Sequence, residues 1–175
     1  MTDPVTRTGL LLDQAMYLTL ATTSPDGTPW AAVLQYAWSP SPLRFVFGSA
    51  TSSLHSQNIA TTPTVAGSLF TTAGVEFTDI DGAQFTGHCA ELGPSELDRY
   101  HDLFYRSVFP DPEQRAEWTL PPERLLAPAP HRLYVIDVER WWMVDTSTWA
   151  EDRIDRRVEV PARQLGHELR SSRGR

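Results

Sequence analysis

The stretch YLTLATTSPDGTPWAAVLQYAW, residues 17–38, sets the architecture in outline. Residues 17–23 are rich in β-branched and aromatic side chains. Pro25, Asp26 and Gly27 then supply turn chemistry, because proline presets φ and glycine reaches positive φ without strain. Residues 30–38 form a second run of strand formers, so the two runs predict an antiparallel hairpin. Along the second run Trp30, Ala32, Leu34, Tyr36 and Trp38 share one face, and Ala31, Val33, Gln35 and Ala37 the other. Neither face is strongly polar, which predicts a strand buried on both sides, as in a barrel wall that also meets a partner or ligand.

The same alternation of strand runs and breakers continues along the chain. SPSP (39–42) breaks the chain, and LRFVFG (43–48) predicts a third strand. SATSSLHSQNIATTP (49–63) opens on hydroxyl residues and closes on Pro63, predicting a two-turn helix. TVAGSLF (64–70), VEFTDI (75–80) and AQFTGHCAEL (83–92) predict three more strands, with turns at 71–74 and at Asp81-Gly82. A short helix over Arg7–Met16 precedes the hairpin, with Leu10, Leu11 and Gln14 near one side. Ser95 followed by Asp98 fits a capping box, and Leu97, Tyr100, Phe104 and Val108 recur at helical spacing. Residues 110–130 hold six of the 14 prolines and predict a loop-rich excursion. LYVIDV (133–138) and RWWMVD (140–145) return to strand. Strands joined by tight turns predict an all-β-dominated fold, an antiparallel barrel with peripheral helices, rather than a βαβ sheet. One domain is expected over 1–149, followed by a charged, partly flexible tail over 150–175 that frays at its end.

Composition narrows the chemistry. The chain has 175 residues, 41% hydrophobic and 21% charged, ordinary values for a globular domain. The formal charge is -7, and all 15 basic residues are arginine. That balance argues against gripping nucleic acid or an anionic membrane surface. The absence of lysine excludes Schiff-base catalysis and a P-loop. The single Cys89 excludes an intrachain disulfide and a cysteine-based zinc cluster, and fits a reducing cytoplasm. The opening MTDPVTRTGLLLDQAMYLTL has no basic region followed by a long apolar run, and no stretch approaches the roughly 18 apolar residues of a membrane span. A cytoplasmic protein without membrane or nucleic-acid partners is expected.

The strongest chemical constellation is FGSATSSLHSQNI (47–59). A strand ends at Phe47-Gly48, and a serine-rich turn opens a helix. Free N–H groups at a helix start, with Ser49, Thr51, Ser52 and Ser53 beside them, can hold a phosphate, and His55 adds a donor. Simple N-capping is the commoner reason for serines before a helix. Other constellations are weaker. His88 and Cys89 are adjacent on a strand and face opposite ways, which disfavours a shared metal ion. His101 and Tyr105 lie one helical turn apart and can line a pocket or a half-exposed face. Trp141, Trp142 and Trp149 form a late aromatic group, best read as core or interface. Glu76, Asp79 and Asp81 read as a solvated turn. No metal site is expected.

Taken in order, LTLATTSPDGTPWAAVLQYAW, LRFVFGSATSSLHSQNIATTPTVAGSLF and GAQFTGHCAEL resemble the FMN-binding split-barrel family related to pyridoxamine 5'-phosphate oxidase. The resemblance covers roughly residues 8 to 145. It rests on the PDG turn, the Ser-x-basic helix, Thr62-Pro63-Thr64-Val65-Ala66, and Gln84-Phe85-Thr86-Gly87. It implies an antiparallel split β-barrel of FMN-binding type, working as a homodimer on a small-molecule substrate with the flavin at the subunit interface. It implies that Ser53 and His55 hold the flavin phosphate and that Asn58 belongs to the same helix. Phe47, Gly48 and Ser49 would pass the flavin, Val33 and Gln35 would face its ring, and Gln84 lies on the strand before the second helix. Leu54 and His55 stand where vitamin B6 oxidases carry arginine and lysine. Their C-terminal arginine motif is missing, so pyridoxamine phosphate is not the expected substrate. Within the same fold the cofactor alternatives are haem, on His55, His88 or His101, and the deazaflavin F420. A flavin-binding sensor without turnover is the alternative to an oxidoreductase.

Overall fold

A computed structural model describes residues 3–71, 81–145 and 147–173. The strand expected at 75–80, with Glu76 and Asp79, lies outside the described residues. In chain order the elements are α1 (Pro4–Gln14), β1 (Tyr17–Thr23), β2 (Pro29–Gln35), β3 (Ala37–Pro40), β4 (Leu43–Ala50), α2 (Leu54–Thr61), β5 (Thr64–Thr71) and β6 (Asp81–Glu91). They continue as α3 (Pro94–Val108), α4 (Pro112–Trp118), a 3-10 turn (Pro122–Leu125), β7 (His131–Asp145), α5 (Trp149–Asp152), β8 (Arg156–Val160) and α6 (Ala162–Arg173).

The hairpin forms as its sequence dictates. Gly27 takes φ 86°, and β1 pairs β2 in register from Tyr17↔Gln35 to Thr23↔Pro29. All pairings are antiparallel, in the order β2-β1-β5-β6-β7-β4-β3, with β8 also on β7. β2 and β3 are the two ends of this path, yet only Tyr36 separates them in sequence. A chain that crosses from one edge to the other in one residue forces those edges together, so the sheet curls into a barrel. β4 takes the first half of β7, up to Asp137, and β8 takes the second, from Trp141. The fold is the antiparallel split β-barrel with peripheral helices.

The barrel interior holds Leu18, Leu20, Phe45, Phe47, Leu69, Phe85, Trp141 and Met143. A second apolar layer lies outside the wall, where Leu97, Tyr100 and Phe104 of α3 cover Val46, Leu133 and Val135. β4 and β7 are therefore buried on both faces over much of their length, which their near-continuous apolar runs allow.

Several expectations are corrected. Residues 30–38 are two strands, not one, and within a single chain β2 is buried on one side only. Leu34 packs on the core, but Val33 is 70% exposed and Trp30 45%. α1 begins earlier, at Pro4, because Asp3 caps it by accepting from the Val5 and Thr6 amides. Its inward residues are Thr8, Leu11 and Leu12, while Leu10 faces out. α3 starts at Pro94 with Gly93 as its cap residue and no side-chain cap. Ser95 thus lies inside the helix and makes no capping box, since proline already suits the first helical position. Asp81-Gly82 is the beginning of β6, with Asp81 gripping Arg7 through both oxygens at 2.7 and 3.0 Å, rather than a turn. The two late strands are one, β7, running through Glu139. The charged segment also carries two elements beyond those the sequence predicts: β8 pairs β7 and places Val160 in the core, and α6 adds Leu165 and Leu169. No helix among the described residues is long and apolar enough to cross a membrane.

Candidate functional site

β4 delivers Phe47, Gly48 and Ser49 to the opening of α2. Phe47 is fully buried and stacks on Tyr134, with ring centroids 5.1 Å apart, and meets the His55 ring edge-on at 6.2 Å. Gly48 comes close to α3, where a Cβ would stand 3.2 Å from the Phe104 ring. By alternation Ser49 returns to the Phe47 side and meets α2.

Ser53 is the cap of α2, with extended backbone and its hydroxyl accepting from the Ser56 amide. Capping is thus real, but the hydroxyl does more. Ser53 Oγ lies 3.0 Å from Ser49 Oγ and 3.1 Å from His55 Nε2, and donates to Ser56 Oγ at 2.8 Å. Ser49 Oγ lies 2.7 Å from the same imidazole nitrogen. One nitrogen therefore sits against two hydroxyls, part-buried, at a helix start. A neutral imidazole offers one lone pair there, and an imidazolium would instead donate a proton outward. The first-turn amides of a helix lack helical partners and point the same way.

Burial holds the His55 imidazole below its ordinary value of 6.5. Its neutral form is favoured in the folded chain, so on acidification the unfolded chain takes up this proton first. The stability that depends on it is present in full above the unfolded value and is lost as pH falls from there through the folded value. Urea unfolding at pH 8 and pH 5.5 is expected to show a smaller acid-side loss in His55→Gln than in wild type. Equal losses would mean that His55 does not titrate differently on folding.

The expected cofactor residues fall into two groups. Ser49, Ser53, His55 and Phe47 come together as described. Asn58 is buried one turn along α2; its amide donates to Thr22 Oγ1 and accepts from Ser24 Oγ, both at 3.0 Å, tying α2 to β1 and its turn. Val33 and Gln84 lie elsewhere. The register Val33↔Thr19↔Ser68↔Gln84 puts both on one row across the outer face of β2, β1, β5 and β6. There Gln84 accepts from Arg157 Nε at 3.0 Å. Gln35, half-buried, borders a small hollow of about 210 Å³ with Asp13, Tyr36 and Trp38. Within one chain these three do not join the serine–histidine group.

That outer face is apolar as well as exposed. Tyr17, Val33 and Phe70 are half or more exposed, and Ala21, Ala31 and Ala66 are exposed beside them on paired positions. The sequence reading covers Val33 with a partner or ligand beyond the barrel wall.

The remaining candidates are placed as follows. Cys89 is fully buried, and burial, with Asp137 nearby, pushes its thiol up to about 12, so it is no nucleophile. His88 is exposed on the opposite face of β6, as alternation requires. His101 Nε2 lies 2.7 Å from the Leu120 carbonyl, and its ring meets Tyr105 at 4.9 Å, which fixes it as a link between α3 and the proline-rich excursion. Trp141 is core, and Trp142 is half-buried under the Arg140 guanidinium at 4.6 Å. The side chain of Trp149 lies outside what the structure describes. Among the described residues no three His, Cys, Asp or Glu side chains are grouped to hold a metal ion.

No family profile matches the sequence, and no curated protein matches it. Solved structures do match the fold. A heme binding protein from Mycobacterium smegmatis superposes with TM-score 0.72 at 14% identity, over 95% of this chain and 61% of that one. The chain thus spans about three fifths of that neighbour's length. HutZ from Vibrio cholerae, described as a heme storage protein, gives TM-score 0.56 at 13% identity over 77% and 89% of the two chains. An F420 reductase gives 0.51 at 23% identity over 75% and 93%. At such identities the shared property is the split-barrel fold.

Proposed function

We propose that this chain binds FMN and serves as a small-molecule oxidoreductase, with the flavin at the interface of a homodimer. The observation that carries the reading is the convergence of Ser49 Oγ and Ser53 Oγ on His55 Nε2 at the mouth of α2. Hydroxyls, an imidazole and first-turn amides form a donor set suited to a phosphate dianion. Bound flavin would supply hydride and electron transfer. The chain's own work is then to neutralise the phosphate and to shape the slot beside Phe47 and Gly48. His55 gives or holds a proton at Nε2, and Ser49 and Ser53 orient that nitrogen.

Haem is the second reading, on the strength of the neighbours that bind it. It requires an imidazole nitrogen free to ligate iron. Nε2 of His55 is engaged by two serines and that of His101 by a carbonyl, which supports an anion-binding role for His55 and leaves the exposed His88 as the axial candidate of the haem reading. The visible spectrum of the purified protein tests the choice: flavin peaks are expected, and a Soret band or a single deazaflavin band would replace FMN with haem or F420. A flavin that binds but is not reduced or reoxidised by any donor pair would leave the sensor reading.

The homodimer reading rests on the exposed apolar face of β2, β1 and β5. Apolar patches of that kind commonly mark interaction surfaces. Docking a second copy there would bury Tyr17, Val33 and Phe70 and bring the outer row carrying Val33 and Gln84 against the partner. Light scattering at micromolar concentration is expected to give about twice the chain mass of 19.7 kDa. A clean monomer would remove the interfacial flavin site.

A further inference from the structure

On the other side of the barrel an open cavity of about 770 Å³ lies between the β3–β4 turn, the middle of β7 and the first turn of α6. That size falls within the range of small-molecule sites. Two local features build it. The β6–β7 register shifts between Thr86 and Gly87: Thr86 pairs Arg140, Gly87 pairs Val138, and Glu139 has no partner on β6. A bulge of this kind takes its extra residue out of the sheet's alternation and re-aims the side chain. Gly87 makes room for it, since a Cβ there would stand 2.2 Å from the Asp137 carbonyl oxygen. Opposite, Gly166 lets α6 approach the chain at Pro40, whose carbonyl oxygen would be 2.7 Å from an added Cβ. That approach makes the first turn of α6, with Arg163, the facing wall.

The lining carries a particular chemistry. Glu139 and Arg163 are exposed, and neither has a hydrogen-bond or ion partner among the described residues. The third charged residue, Glu159, is satisfied by Arg140 through both carboxylate oxygens at 2.9 and 2.8 Å. Pro42, Pro161 and Ala162 give the cavity its accessible apolar floor, while Leu43 and Val138 border it as buried residues. An anion alone would meet the unpaired carboxylate of Glu139, and a cation alone would meet Arg163. A fully polar ligand would leave the floor uncovered.

We propose that this cavity binds a small zwitterion with an apolar body, an apolar amino acid or its dipeptide, with Glu139 receiving the ammonium and Arg163 the carboxylate. The site is separate from the serine–histidine group and does not depend on the flavin reading. Titration of the full-length protein with L-leucine and L-leucyl-L-leucine, followed by calorimetry, tests it. At least one of the two is expected to bind saturably, and Glu139→Gln and Arg163→Gln are each expected to weaken it about tenfold. Both positions are on the surface, so thermal midpoints close to wild type are expected alongside. Capping the ligand carboxylate as an amide should abolish its sensitivity to Arg163→Gln and leave its sensitivity to Glu139→Gln. No binding of either zwitterion below about 10 mM, or equal affinity in wild type and both variants, would overturn the proposal.

Discussion

Trp141→Ala is expected to lower the unfolding free energy by about 3–5 kcal/mol. The ring is fully buried at the centre of the barrel. It lies nearly parallel to Phe85 at 6.3 Å and tilted against Phe45 at 6.2 Å, and Phe45 in turn packs on Phe85 and Tyr36. Truncation removes the largest side chain of this cluster and leaves a cavity that three rigid rings cannot collapse to fill. It also removes a hydrogen bond. Trp141 Nε1 donates to Thr8 Oγ1 at 3.0 Å, and that hydroxyl itself donates to the Pro4 carbonyl. The buried Thr8 oxygen would lose its only donor of this pair, adding to the cost of the void. For a chain of this length a change near 4 kcal/mol corresponds to a fall in Tm of about 10 °C. Trp142→Ala is the control. Its ring is half-buried and covered by Arg140, so a loss of about 1 kcal/mol is expected. Chemical denaturation of both variants checks the contrast, and a Trp141→Ala loss no larger than that of Trp142→Ala would refute the packing argument.

His55→Ala is expected to weaken FMN binding by one to two powers of ten while leaving riboflavin affinity nearly unchanged. A charge-assisted hydrogen bond to a phosphate contributes about 1.5–3 kcal/mol, which is about a 10- to 100-fold change in Kd. Riboflavin lacks the phosphate and so loses nothing by the change. In the free protein burial keeps the imidazole mostly neutral at neutral pH. A bound dianion favours the imidazolium and raises that pKa. FMN binding thus takes up a proton, and FMN affinity is expected to fall as pH rises from the free-state value through the bound-state one. Fluorescence titration of both flavins into wild type, His55→Ala and Ser49→Ala measures all three effects. Equal losses for FMN and riboflavin in His55→Ala would assign the residue to the ring or to the fold instead. Ser49→Ala should show a smaller FMN-selective loss, since Ser53 still holds the same nitrogen at 3.1 Å.

The hairpin was legible because glycine and proline act locally: Gly27 takes the positive φ its turn demands, whatever surrounds it. The helix at Ser53 was legible for the same reason. What the sequence could not resolve was the choice between two apolar faces of 30–38. Periodicity states that residues alternate, but not which side meets the core, and the break at Tyr36 follows from barrel closure, a property of strands far apart in sequence. The capping pattern at Ser95 competes with Pro94, and proline at the helix start prevails. The segment after 155 was read by its charge. Its order comes from Val158 and Val160 alternating with Arg157 and Glu159, and from Leu165 and Leu169 one turn apart. That signal was present in the sequence and was outweighed by the number of arginines. At the candidate site the residue types at the start of α2 were readable. The convergence of Ser49 on His55 was not, because it depends on how β4 enters the turn.

Leu165 and Leu169 of α6 share the core with Leu11 and Leu12 of α1, and a Cβ on Gly9 would stand 3.2 Å from Leu169. Two helices some 150 residues apart in sequence therefore complete one another. On the ribosome α1 emerges early, and although the barrel strands cover part of its inner face, that face is not complete until α6 has been made. Through most of translation the nascent barrel exposes the surface that Leu165 and Leu169 will cover, a window in which a chaperone or a neighbouring nascent chain competes with native closure. Stalled nascent chains ending near residue 155 should thus remain open to protease, and acquire resistance only once the α6 residues clear the exit tunnel.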